Sequence, residues 1–105
     1  MPITPERKVK NKVTDILKAY GVYYFYPLSG GFGKAGVPDI ICCVSGRFLA
    51  IECKAGGNTT TALQERNIEE IKNSGGIALV VNEQNIDVVE RVILKCLSYK
   101  FPQTV

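Results

Sequence analysis

The chain contains no histidine and no C-x-x-C pair among its 105 residues. Those absences remove the usual zinc-ligand spacings and every histidine-based nucleophile or acid–base scheme. The four cysteines do not compensate. Cys42 and Cys43 are adjacent on a predicted strand and so face opposite sides, while Cys53 and Cys96 stand alone. All four are expected to be buried as small apolar side chains. No apolar run approaches the ~20 residues that a membrane helix needs. No charged-then-apolar leader opens the chain, so the expectation is an intracellular, cytoplasmic protein without a disulfide framework. A strong excess of charge is missing too. Thirteen Lys+Arg against 10 Asp+Glu leave +3, which permits a polyanionic partner without demanding one. The distribution says more, because Arg7, Lys8, Lys10, Lys12 and Lys18 crowd the first helix candidate.

What is present suits one globular domain spanning residues 1–105, with 46% hydrophobic and 22% charged residues. Thr4-Pro5-Glu6 reads as a helix start, with Thr4 at the N-cap. Val9, Val13, Ile16, Leu17 and Tyr20 follow at helical spacing, and Gly21 supplies a stop. Glu6 shares their inward stripe. It is either an acid favoured by the helix dipole or a carboxylate overlooking a polar pocket. Val22 to Tyr26 form a dense β-forming run, with Tyr26 at the end best placed to touch a ligand. The glycine-rich stretch from Ser29 to Gly36 is a loop. Its Gly31-x-Gly33-x-x-Gly36 pattern is no dinucleotide fingerprint, because Pro38 and a strand follow where a helix is required. It carries Lys34, which can meet a phosphate backbone or merely connect two strands.

The stretch from Val37 to Lys54 organises the rest. Two apolar runs flank Ser45-Gly46, a short-hairpin signal. With those two residues as the loop, Val44 sits opposite Arg47, Cys43 by Phe48, Ile41 by Ala50 and Asp39 by Glu52. Like charges directly opposed destabilise a sheet. Lys54 projects to the same face as Glu52, because side chains alternate along a strand. Both hairpin faces are otherwise apolar, so both are expected to be covered by helices. A second helix is predicted from about Thr61 to Asn73. In it Gln64 lies on the stripe of Ile68 and Ile71, either as the far half of a Thr61-x-x-Gln64 capping box or as an amide reaching the hairpin. Ile77 to Val81 read as a buried strand. Asn85 is expected to cap a last helix through about Leu97. The predicted order is α-β-β-β-α-β-α.

A carboxylate pair beside a lysine is a poor proton-sharing pair, since the cation favours ionised carboxylates. Oxygen donors from Asp and Glu suit a hard divalent ion such as Mg²⁺ or Mn²⁺. Such an ion, with a lysine to orient water or neutralise charge, fits hydrolysis of a phosphodiester.

These residues carry a resemblance. Pro38-Asp39, twelve further residues and Glu52-Cys53-Lys54 resemble the PD-(D/E)XK nuclease signature. Gly36-Val37-Pro38-Asp39, Ile51-Glu52-Cys53-Lys54-Ala55, Gln64 and Gly75-Gly76 before an apolar strand together resemble the VRR-NUC domain of that superfamily, from about Glu6 to Val81. The resemblance implies an α/β restriction-endonuclease-like core of order α-β-β-β-α-β. It has a mixed central sheet flanked by helices, and here a C-terminal helix is added. It implies that Asp39, Glu52 and the Cys53 backbone carbonyl are metal ligands, that Lys54 is the catalytic lysine, and that Glu6 and Gln64 act with them. Stand-alone members include viral proteins and resemble Holliday-junction resolvases in their dimeric assembly, so a homodimer is implied. The expected function is a Mg²⁺-dependent endonuclease selective for branched, flap or four-way DNA, with Mn²⁺ able to substitute. Lys8, Lys10 and Lys34 are expected to grip the phosphate backbone. The competing reading is a non-catalytic nucleic-acid-binding or assembly module on the same fold.

Overall fold

The structure, a computed structural model, describes residues 2–28 and 33–99. The expected loop residues Ser29 to Phe32 and the tail beyond Tyr99 lie outside them. Helix α1 (Pro5–Ala19) starts as its sequence dictates: the Thr4 hydroxyl accepts from the Arg7 N–H at 3.2 Å, and Pro5 occupies the first turn. Gly21, at φ 66°, turns the chain into β1 (Tyr23–Phe25), which is shorter than the predicted run. Strands β2 (Ile40–Val44) and β3 (Arg47–Cys53) form the hairpin, helix α2 (Ala62–Asn73) crosses over to β4 (Ile77–Val81), and α3 (Asp87–Leu97) closes the order.

The sheet runs β1-β2-β3-β4, antiparallel at the first two pairings and parallel at β3/β4. This is the mixed α/β core expected from the sequence. The hairpin register is also as expected, with Val44 opposite Arg47 and Ile40 opposite Ile51. Ser45 and Gly46 both have positive φ, at 51° and 83°, as a two-residue turn matching the strand twist requires. One further step along this ladder sets Asp39 opposite Glu52.

The core lies on one side of the sheet. Val9, Val13 and Leu17 from α1, and Val89, Ile93 and Cys96 from α3, pack on Ile40, Cys42, Val44, Leu49, Ile51 and Cys53. The other side differs from the expectation of a covered face. Helix α2 reaches only part of it, so Ala50 is buried while Cys43 is exposed and Phe48 is 45% exposed. Cys43 is therefore a surface thiol rather than a core residue. The reason is geometric: among the described residues three helices meet four strands, and two of the helices take the same side. The α3 start differs as well. Ile86 is the N-cap, without a side-chain cap. The Asn85 amide instead accepts from the Asn82 N–H at 2.7 Å and donates to the Val80 carbonyl at 3.0 Å, tying the turn to the end of β4.

Candidate active site

The open end of the hairpin is where the half-covered face turns polar. Two main-chain constraints prepare it. The Lys54 N–H donates to the Val81 carbonyl at 2.9 Å, extending the parallel ladder by one residue. The Cys53 N–H donates to Asp39 Oδ2 at 2.8 Å, so one oxygen of Asp39 is fixed by the neighbouring strand, while the other, Oδ1, lies 4.0 Å from Lys10 Nζ. Beyond Lys54 the Glu83 carboxylate accepts from the Gly56 N–H with both oxygens at 3.1 Å, and this pins the turn that leaves the site.

Glu52 is the centre. It is 3% exposed, and its Oε2 accepts from Gln64 Nε2 at 3.2 Å and lies 3.5 Å from Lys54 Nζ. Burial, and then the Asp39 charge, push its pKa up to about 7, against the opposing pull of Lys54. Each of the two carboxylates has an ammonium beside it, Lys54 at Glu52 and Lys10 at Asp39, and Glu52 is still the group that burial holds back from ionising.

Gln64 resolves its two readings by serving both. Its amide oxygen accepts from the Thr61 N–H at 2.9 Å while the Thr61 hydroxyl accepts from the Gln64 N–H, a complete capping box. The amide nitrogen is thereby aimed at Glu52. Helix α2 is held close by Gly36, at φ 76°. A Cβ there would stand 2.7 Å from the Leu63 side chain and 2.9 Å from Asn67 Nδ2. Asn67, 5% exposed, donates to the carbonyls of Ala35 and Leu63.

The other expected site residues are placed less evenly. Glu6 is exposed rather than inward, although its stripe partners Val9 and Val13 are buried. It sits in the first turn, and its charge is the smallest of the influences that raise the Cys53 thiol pKa. Lys8 is exposed. Lys34 pairs with Glu70 of α2 at 2.6 Å. Lys10 is drawn in: its Nζ lies 4.0 Å from Asp39 Oδ1 and 5.4 Å from the Tyr26 ring centroid. Sequence reasoning missed Asn67 and Glu83. Asn67 had a signal, standing three residues after Gln64 on the same helical stripe; Glu83 had none.

Thiol chemistry does not compete here, since burial pushes the pKa values of Cys42 and Cys53 up to about 12. The two carboxylates, Asp39 and Glu52, are oxygen donors of the kind that suit a hard cation that keeps several waters. Among the described residues no group of three or more His, Cys, Asp or Glu side chains converges as a metal cluster, so Glu6 does not complete a third carboxylate arm.

Comparison with known proteins agrees with this fold. A solved structure described as a VRR_NUC domain protein superposes with a TM-score of 0.73 at 26% identity, covering 94% of this chain and 93% of that one. No curated protein sequence matches. The family model described as archaeal Holliday junction resolvase (Hjc) matches residues 6–91, a span running from Glu6 through the hairpin and Gln64 into α3. The chain belongs to that family of nucleases.

Proposed function

We propose that this chain is a divalent-metal-dependent endonuclease that hydrolyses DNA phosphodiester bonds and prefers branched, flap or four-way structures, with Mg²⁺ as the ion and Mn²⁺ as a substitute. Glu52 is the observation that carries the reading. A carboxylate 3% exposed, repelled by Asp39 and held by Lys54 and Gln64, is costly for a fold and useful for a cation site. Nucleases of this kind generally use divalent metal ions.

Asp39, Glu52 and the Cys53 carbonyl would hold the ion. When bound, a divalent cation supplies charge stabilisation at the phosphorus and lowers the pKa of an attacking water. Gln64 orients Glu52 by donating to Oε2. Lys54, whose side chain is 12% exposed, presents a desolvated ammonium to the developing phosphate charge or to the water. Glu6, exposed in the first turn of α1, adds negative charge in the neighbourhood of Cys53. Lys8, Lys10 and Lys34 supply phosphate contacts, Lys34 by leaving Glu70, and binding of this kind is salt-sensitive and largely blind to sequence. The uncovered sheet face, with Tyr23 70%, Phe25 47% and Phe48 45% exposed, supports a homodimer.

A cleavage panel of single-stranded, duplex, flap and four-way DNA, with and without Mg²⁺, tests the reading. Metal-dependent cutting of the branched substrates that Lys54→Ala abolishes, with an unchanged circular-dichroism spectrum, is the expected result. Cutting that ignores both the metal and Lys54→Ala sinks it.

A further inference from the structure

Lys10 does not behave as an ordinary surface lysine of a basic helix. Its side chain is 19% exposed. Its ammonium lies between two partners, Asp39 Oδ1 at 4.0 Å and the face of Tyr26 at 5.4 Å. Asp39 has one oxygen committed to the Cys53 N–H at 2.8 Å. The oxygen left for a cation is therefore the one that Lys10 faces. Lys54, the other ammonium of the pocket, is paired with Glu52 rather than Asp39.

We propose that Lys10 is a built-in counter-cation of the metal site, resting against Asp39 when no ion is bound and released towards the DNA backbone when one enters. This regulation rests on the metal-dependent reading above. A divalent ion on Asp39 repels an ammonium a few ångströms away, and the Tyr26 face gives that ammonium a second resting place. Two consequences follow. Lys10 weakens the binding of metal to the free protein, because the ion must displace it. Metal binding in turn strengthens DNA binding, because a freed lysine adds a phosphate contact, and this coupling is reciprocal.

The experiment titrates MgCl₂ and MnCl₂ alone into the full chain at constant ionic strength, read by calorimetry and by thermal shift. Wild type is compared with Lys10→Met, Lys10→Gln, Lys8→Met and Asp39→Asn. Both Lys10 variants are expected to half-saturate at about tenfold lower metal, a Coulombic effect of the size neighbouring charges exert. Lys8→Met, which removes the same charge from an exposed position of the same helix, is expected to shift by less than about twofold. In a Lys54→Ala background, anisotropy on four-way DNA is expected to show a metal-induced gain in affinity that shrinks when Lys10→Met is added. Metal binding by wild type that is unchanged or weaker in both Lys10 variants overturns the counter-cation role and leaves the nuclease reading standing. A lowered half-saturation shared equally by Lys8→Met also overturns it, as general charge. Wild type that responds to metal no more than Asp39→Asn removes the metal site itself, and the proposal with it.

Discussion

The two faces of the β2–β3 hairpin are made from the same eighteen-residue stretch and have opposite characters. One lies under α1 and α3 and is dry throughout, with Ile40, Leu49, Ile51 and Cys53 all at 0% exposure. The other lies only partly under α2 and runs from an exposed Cys43 and Phe48 to a buried Glu52. The first face contributes stability. The second gives some up, by burying one carboxylate beside another, and gains chemistry. Alternation of side chains along a strand lets one hairpin do both.

The contrast can be broken at either face. The largest expected effect is on activity at the polar face. Lys54→Ala should lower the cleavage rate by about 10²–10⁴-fold with little change in melting temperature. On the dry face Ile51→Ala should do the reverse, costing about 2–5 kcal/mol of stability in denaturant unfolding.

The next effect concerns pH. The folded-state pKa of Glu52, about 7, is above its ordinary value of 4.5, so the folded chain holds that proton more tightly than the unfolded one. The stability it contributes is therefore fully present below about pH 4 and is lost as pH rises through about 7. Metal-free melting should fall across that window by roughly 2–3 kcal/mol, and Glu52→Gln should flatten the profile. Asp39→Asn should flatten it less, because Asp39 is already compensated by the Cys53 N–H and Lys10.

Thr61→Ala removes half of the capping box and should cost about 1 kcal/mol, with a further loss of activity if Gln64 then loosens from Glu52. Steady-state cleavage beside thermal melting separates the two. Cys43→Ser on the open face should change stability by less than about 0.5 kcal/mol.

Much of the fold was legible because its decisive signals are local. Ser45-Gly46 fixes a two-residue turn, the turn fixes the register, and the register sets Asp39 against Glu52 without any knowledge of the rest. Thr4-Pro5 and Thr61-x-x-Gln64 mark helix starts for the same reason. What stayed illegible depends on how elements are shared out in space. Cys43 and Phe48 look like core residues until two of three helices choose the other side. Glu6 keeps the period of Val9 and Val13, yet the first turn carries it into solvent. Lys10 reads as one of several basic residues, because its approach to Asp39 joins α1 to the residue before β2 across 29 positions of sequence. No local pattern encodes that.

Gln64 has a consequence for the variation this fold can bear. One end of its amide accepts from Thr61 and the other donates to Glu52, so the side chain must carry an acceptor and a donor at the tip of a two-carbon stem. Glutamate keeps the acceptor but turns the donor into a third repelling oxygen. Lysine and arginine can donate and cannot accept. Asparagine has both groups and is one methylene short. The physical alphabet at position 64 has a single letter, whereas the exposed residues around it on α2 are nearly free to drift.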